Sequence, residues 1–314
     1  MDQLLQHTLN ALVLGSTYAL LGIGLTLIFG IMRVVNFAHG ELYALGAYVA
    51  YGVVAMFGMN FFASLLVAAV VGFLFGTAIE YFLLRRRGLK AIDEVMLIMI
   101  GVMIIMQNAE LLMWGGVAKS VPSPFSQEPI VWGAISVSPI RLFVLVTAVA
   151  LLVIFYLLIE RSRLGLAMRA TFQDKDAAKI VGVNVSHIYT LTFALGSCLA
   201  SVAGALLAPV FVVTPTMGDL ASLKAFAIVI LGGLGNLPGA ALGGFILAIV
   251  EEFGAGYIST AYRDALGFLV ILAVMIFRPQ GDIKAKRKQR GGISTQTKEG
   301  HMPEAQLSGI TQQE

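Results

Sequence analysis

The segment KAFAIVILGGLGNLPGAALGGFILAIVEE, residues 224–252, is apolar over about the length of a membrane span but is interrupted in its middle. Glycine and proline weaken a helix, and Pro238 in the central GGLGNLPG sequence also removes a backbone hydrogen-bond donor. Since lipid offers no partner to a free backbone group, such a break must lie inside a protein bundle. The segment therefore predicts two half-helices that meet at a break, with Asn236 and Pro238 at the start of the second.

Glycines of this segment recur with a helical period. Gly235, Gly239 and Gly243 are spaced four residues apart, which leaves a stripe of bare backbone that another helix can approach closely. Broken helices in membrane bundles often line solute pathways. The pattern makes Gly235, Asn236, Gly239 and Gly243 candidates for a pathway or gate. A hinge that only packs helices is the alternative, and the two interpretations are compatible.

The composition is typical of a polytopic membrane protein. The chain has 314 residues, of which 58% are hydrophobic and 12% are charged, about half the charged fraction of a soluble domain. Basic residues lie at the ends of apolar segments, so the net charge of +3 does not indicate nucleic-acid binding. The single cysteine lies in an apolar segment, and no cysteine or histidine spacing typical of a metal site is present.

Apolar segments predict an all-α membrane bundle followed by a tail. We expect spans at 8–30, 41–57, 61–84, 95–114, 140–159 and 188–212, then the broken pair and a last span at 261–277. The membrane domain would cover residues 1–279, and a basic, polar cytoplasmic tail would cover 280–314. The end of this tail is poor in apolar residues, so we expect it to be disordered. The first segment lacks the basic start of a cleavable signal peptide and is expected to remain as a span.

Lysine and arginine predict the orientation of the chain. Basic clusters lie at 85–90, 161–179 and 278–290, and these should face the cytoplasm. The last two clusters must be separated by an even number of crossings, so the segment at 224–252 should add no net crossing. A re-entrant hairpin does this, and so do two full crossings. The same count places the N-terminus outside and the C-terminus in the cytoplasm; a short N-terminal helix lying inside is the alternative for the N-terminus.

The sequence NFAHGE carries polar residues where a lipid-facing helix would not tolerate them. Asn36, His39, Gly40 and Glu41 could line the pathway or move with a cytoplasmic gate. The structural alternative is that Asn36 caps the helix of the second span while Arg33 pairs with Glu41.

Motifs of nucleotide hydrolysis and of nucleophilic catalysis are absent from the sequence. A P-loop requires lysine after a Gly-rich turn, and no lysine here follows a glycine. If ATP drives this protein, another chain hydrolyses it. An ion-coupled transporter would usually show a buried carboxylate in mid-span, whereas Glu80, Glu110 and Glu160 fall near the predicted span ends. A structural scaffold would have no need of a broken helix.

The cytoplasmic segment DAAKIVG, Asp176 to Gly182, is a candidate for docking a partner. A short helix that presents small residues and is closed by glycine suits a groove on another protein. The candidate contacts are Asp176, Ala177, Ala178 and Gly182. The alternative is an ordinary helix and turn between spans.

Three long blocks resemble branched-chain amino acid permeases of the LivH type. They are GLTLIFGIMRVVNFAHGELYALGAYVA (24–50), IVGVNVSHIYTLTFALGSCLASVAGALLAP (180–209) and LKAFAIVILGGLGNLPGAALGGFILAIVEE (223–252). The segment 176–182 resembles the EAA loop of ABC-importer permeases, which seats on the ATPase subunit. It differs in having Asp176 in place of glutamate and in lacking the downstream Leu-Pro. The resemblance extends over residues 9–279.

This resemblance implies a permease subunit in a bacterial cytoplasmic membrane, without a cofactor or enzymatic activity of its own. Its implied partners are two cytoplasmic ABC ATPase subunits, a second related permease and an extracytoplasmic solute-binding protein. ATP binding and hydrolysis on the partner chains would move the segment at 176–182 and drive alternating access. The same machine for urea or short amides is the alternative. The sequence leaves open which amino acid is carried and whether the permease pairs with itself or with a relative.

Overall fold

The structure is a computed structural model that describes residues 2–87, 92–126, 128–132 and 135–277. The predicted tail at 280–314, the whole basic cluster at 278–290 and residues 88–90 of the cluster at 85–90 lie outside these residues. The helices and strands follow one another in this order: α1 Asp2–Met32, α2 His39–Tyr51, α3 Phe61–Ala78, α4 Arg85–Arg87, α5 Ile92–Trp114, β1 Ile130–Trp132, β2 Ile135–Val137, α6 Pro139–Arg161, α7 Arg163–Gln173, α8 Lys175–Ile180, α9 Val185–Leu207, α10 Met217–Gly232, α11 Leu237–Tyr257 and α12 Arg263–Phe277. π-Helical turns at Gly52–Met56 and Ile79–Leu84 extend α2 and α3.

Six helices within the described residues are long and apolar enough to cross a membrane: α1, α3 with its extension, α5, α6, α9 and α11. This confirms the all-α polytopic class. The predicted second and last spans correspond to shorter helices, α2 with 13 residues and α12 with 15. A two-stranded antiparallel hairpin in the loop before α6 is the exception to the helical architecture of this part of the chain.

Helices α1 and α9 form the centre of the bundle. In the most apolar 18-residue segment of each helix, 89% of α1 and 78% of α9 is buried. Helix α1 packs on α9 and α11, and α9 packs on α2 and α3. Small residues allow these close approaches: a β-carbon at Gly196 of α9 would lie 2.7 Å from the carbonyl oxygen of Gly24 in α1. The corresponding segments of α3, α5 and α6 are at most 28% buried, so these helices present apolar faces outward.

The segment that opens the sequence analysis forms a helical hairpin. Helix α10 has 16 residues and α11 has 21, so the second arm is a full-length helix and the prediction of two half-helices is wrong for it. Gly233 and Gly235 in the turn have φ angles of 89° and 81°, which other residues rarely adopt. The Asn236 side chain accepts a hydrogen bond from the Gly239 N–H at 3.2 Å and thereby caps α11.

The glycine stripe of α11 packs on α10. A β-carbon at Gly243 would lie 2.7 Å from the carbonyl oxygen of Ile228, and one at Gly239 would overlap the carbonyl of Gly232. The arms therefore meet backbone to backbone, as the spacing of the glycines predicts.

The turn of the hairpin and the start of α1 lie at opposite ends of the bundle. Gly235 lies beside Gly30 near the end of α1 and beside Phe172 of α7, and α7 and α8 carry basic residues. At the other end, His7 near the start of α1 lies 3.3 Å from Glu252 near the end of α11. The positive-inside rule predicts that the end of the bundle with the hairpin turn, α7 and α8 faces the cytoplasm; we call it the cytoplasmic end and the opposite one the outer end.

Candidate functional site

The predicted docking segment is a short capped helix at the cytoplasmic end. The Asp174 carboxylate accepts hydrogen bonds from the N–H groups of Asp176 at 2.8 Å and Ala177 at 3.0 Å, which begins α8. Donation from Ala177 and then Asp176 lowers the pKa of Asp174 below its usual value. Gly182, with a φ of 89°, ends the segment in a conformation that suits glycine. Asp176 pairs with Lys179 at 3.0 Å on the exposed face.

The outward face of this segment differs from the one that the small residues suggest. Ala178 is buried, with 2% of its surface exposed, and so anchors the helix to the bundle instead of presenting it to a partner. Ala177 and Gly182 are exposed. Ile180 and Val181 project furthest, with 86% and 77% of their surface exposed. Sequence reasoning missed these two, although an apolar pair in a polar cytoplasmic segment was the available signal.

A cavity of about 1000 Å³ lies between this segment and the inner ends of the spans. Its lining carries both charges: Arg33, Glu80, Arg85, Asp174, Lys175, Asp176 and Lys179. A smaller cavity of about 270 Å³ lies under the hairpin turn, where Gly235, Asn236 and Pro238 contribute to its wall. Of the four hairpin candidates, Gly235 and Asn236 thus border a cavity, while Gly239 and Gly243 face α10.

The NFAHGE sequence forms a non-helical connection followed by the start of α2. Asn36 is fully buried, and its side chain accepts a hydrogen bond from the Ala38 N–H at 3.1 Å. Ala38 is the residue that precedes α2, so the prediction that Asn36 caps this helix is wrong. The predicted pair of Arg33 and Glu41 is also absent. Arg33 is exposed at the cytoplasmic cavity, whereas Glu41 is fully buried, because the extended connection carries the chain back into the bundle.

Hydrogen bonds hold the start of α2 between α1 and α10. His39 Nε2 donates to the carbonyl of Leu21 at 3.0 Å. The Gly40 N–H donates to Ser222 Oγ at 3.0 Å, and the same hydroxyl donates to the Phe37 carbonyl at 3.0 Å. A β-carbon at Gly40 would overlap the backbone of α10. The two segments predicted as gate candidates, NFAHGE and the hairpin, are therefore directly joined through the start of α10.

Residues 7–277 match the family described as branched-chain amino acid transport system / permease component. The chain belongs to this family. It is 38% identical to the high-affinity branched-chain amino acid transport system permease protein BraD of Pseudomonas aeruginosa, over 88% of this chain and 94% of the relative. It is 34% identical to LivH of Escherichia coli K12 over the same shares. LivM of the same organism is 26% identical, over 90% of this chain and 71% of its own length.

Carboxylates that the sequence suggested to lie at span ends are buried inside the permease. Glu80 and Glu110 are each 2% exposed, so the argument that buried acidic groups are missing from the spans is wrong. Glu80 accepts a hydrogen bond from Thr190. Glu80 and Glu110 are buried because, although they lie near the ends of their helices, each is on the side of its helix that faces the bundle. The family match, and not the placement of carboxylates, disfavours a secondary transporter.

An ionic network joins five helices at the outer end of the permease. Lys224 of α10 lies 2.9 Å from Glu251 of α11 and 2.9 Å from Asp264 of α12. Glu252 accepts from Asn10 of α1 at 2.9 Å and also pairs with Arg263. Arg141 of α6 donates to Asn10. Opposite charges are matched here, which suits a structural clamp. In the described residues no group of three His, Cys, Asp or Glu side chains is arranged to hold a metal ion.

Proposed function

We propose that this permease imports branched-chain amino acids across a bacterial cytoplasmic membrane as one subunit of an ABC importer. The observation that carries the proposal is the match over residues 7–277 to a permease family of that description. The relatives BraD and LivH, which bear the same description in their names, are 34–38% identical over 88% of the chain. The permease is a transport subunit and not an enzyme, so ATP is hydrolysed by two partner ATPases.

The ATPase docks on the segment 174–182. Ile180 and Val181 supply an exposed apolar contact next to the charged pair Asp176 and Lys179. An apolar centre with a polar rim is the common arrangement of protein interfaces. Ala178 is buried against the bundle, so a displacement of this segment by the ATPase also displaces the spans that it contacts.

The moving parts are α2 and the α10–α11 hairpin. Both begin after non-helical backbone, and discontinuous helices are frequent at transport pathways. The hairpin turn borders α7 through the contact of Gly235 with Phe172. Motion of the docking segment therefore has a short route to the turn, and from there along α10 to the start of α2 at Ser222 and Gly40.

An ABC importer of this kind implies two further partners. A second, related permease completes the pathway, and the likeness to LivM supports a relative over a second copy. A solute-binding protein delivers the amino acid to the outer end, and the C-terminus lies in the cytoplasm. Selectivity is shared with that binding protein.

Uptake by the reconstituted transporter tests the proposal. Proteoliposomes that contain both permeases and both ATPases, with the binding protein outside and ATP inside, should accumulate labelled leucine, isoleucine and valine. Urea and acetamide in excess should not compete. A P-loop lysine variant of the ATPase should abolish uptake. Accumulation of urea but not of leucine would refute the proposed substrate, and uptake without ATP would refute the ABC mechanism.

A further inference from the structure

Three carboxylates from three helices meet in the outer half of the bundle, away from both cavities described above. The Glu41 carboxylate of α2 lies against Gly218 at the start of α10, where a β-carbon would come within 2.5 Å of its carboxyl carbon. Asp219 directly follows Gly218, and Glu110 of α5 lies about one helical turn after Gln107. Asp219 accepts a hydrogen bond from Gln107 of α5 at 2.8 Å. We call Glu41, Glu110 and Asp219 the carboxylate cluster.

Two members of the carboxylate cluster have unmet hydrogen-bonding capacity. Glu41 is 0% and Glu110 is 2% exposed, and none of their four carboxylate oxygens has a partner among the described residues. The hydroxyl of Tyr48, also fully buried and without a partner there, lies near Glu110. Buried polar groups are normally paired, and an unpaired buried carboxylate is costly. Glu41 and Glu110 can therefore accept hydrogen bonds from a positively charged ligand.

The depth of the cluster suits a solute that arrives from outside. Trp114, at the outer end of α5, stacks on Tyr48 with ring centroids 4.9 Å apart. Glu110 and Gln107 precede Trp114 by one and two turns, or about 6 and 10 Å along the helix. Asp219 is partly exposed, so the cluster reaches the surface of the chain at that side.

Within the part of the chain that the structure describes, no ion pair joins a basic side chain to the cluster. Lys224 lies further along α10 and is held by Glu251 and Asp264. A divalent metal needs several oxygen ligands at one point, and the described residues offer no such group. An organic ammonium can be held by fewer oxygens, and those of Glu41 and Glu110 have no other partner among the described residues.

We propose that Glu41 and Glu110, with Asp219 at the partly exposed side of the cluster, bind the α-ammonium group of the amino acid as it passes through the permease. This inference rests on the proposed function for the identity of the solute. Selection for an ammonium would also exclude neutral amides, whatever the binding protein delivers.

The test measures binding separately from transport. The assembled transporter in nanodiscs, without binding protein, is heated with millimolar leucine, isoamylamine or 4-methylpentanoate, which carry both charged groups, the ammonium alone or the carboxylate alone. The variants are Glu41→Gln and Glu110→Gln, with Glu94→Gln as the control because Glu94 is exposed on the same helix as Glu110. Asp219→Asn serves if the buried variants do not assemble.

We expect leucine and isoamylamine, but not 4-methylpentanoate, to raise the melting temperature of the wild type and of Glu94→Gln. The shift should vanish in the cluster variants, and their leucine uptake should fall at least tenfold while binding-protein-stimulated ATP hydrolysis persists. Equal protection of wild type and cluster variants by isoamylamine overturns the site, and so does a joint loss of uptake and ATP hydrolysis. If the wild type is protected by isoamylamine but takes up no leucine, the proposed function fails and the ammonium site stands.

Discussion

Replacement of Gly243 by leucine should impair transport far more than it impairs folding. A β-carbon there would lie 2.7 Å from the carbonyl oxygen of Ile228, 3.2 Å from the backbone nitrogen of Gly232 and 3.4 Å from Cβ of Leu231. The first separation is too short for carbon and oxygen, and backbone cannot rotate away as a side chain can. The arms of the hairpin must therefore move apart.

The magnitude follows from the packing. Overpacking a well-filled contact costs about 1–3 kcal/mol. A transporter that alternates between two states of similar free energy changes their ratio tenfold for each ~1.4 kcal/mol. Because the hairpin borders both α7 and α2, the cost should fall unequally on the two states. We expect leucine uptake to drop about tenfold or more.

The matched control is Gly101→Leu. Gly101 is a helical glycine of α5, and a β-carbon there meets no heavy atom within 4 Å. Gly254 and Gly256 are closer in sequence but unsuitable, because a β-carbon would strike Leu266 at the first and His7 at the second. The assay is initial uptake of labelled leucine, normalised to the amount of permease in the membrane. Normal uptake by Gly243→Leu with defective uptake by Gly101→Leu would refute the close-packed hairpin as the moving element.

Three further results are expected. Ile180→Ala should weaken ATPase binding to the detergent-solubilised permease about tenfold, since a fully buried isoleucine contributes about 1.5–3 kcal/mol. Val117 is also apolar and exposed, and Val117→Ala should leave ATPase binding unchanged. Equal binding by both variants would remove Ile180 from the interface. Asp174→Ala should loosen α8 and reduce the coupling of ATP hydrolysis to uptake, whereas Asp174→Asn should retain the coupling. Because the backbone donors lower the pKa of Asp174, the contribution of its charge is present at neutral pH and is lost only as the pH falls through the lowered pKa. A change of coupling near neutral pH that occurs in the wild type and not in Asp174→Asn would contradict this role. In a cysteine-free background, a cysteine at Gly58 should react with an impermeant reagent in intact cells and one at Lys175 only after permeabilisation, and the reverse pattern would invert the orientation.

Much of the architecture was predictable because membrane helices follow local rules. Lipid cannot satisfy free backbone groups, so apolar length predicts spans and Gly-Pro clusters predict interruptions. The hairpin at 224–252 followed from the Gly-rich centre and from the parity of basic clusters. The capping of α11 by Asn236 followed from residue type and spacing alone.

The sequence singled out the segment 176–182 as a proposed docking site but did not show which side of it is exposed. Composition drew attention to Ala177 and Ala178, while exposure depends on which side of α8 rests against the bundle. Ala178 is inward, and Ile180 and Val181 are outward. Ile180 follows Ala178 by about half a helical turn and so lies on the opposite side of α8; which side is buried is decided by the neighbours of this six-residue helix.

The sequence by itself determined the helical class, the family and the hairpin, and it singled out the two segments that we propose to carry function. Only the tertiary structure decided what the polar residues of those segments do. Glu41 and Glu110 are 69 positions apart in the chain, and their meeting at the start of α10 depends on the packing of three helices. Local propensity and hydropathy report on one helix at a time, whereas a buried charge is defined by the groups that other helices place around it.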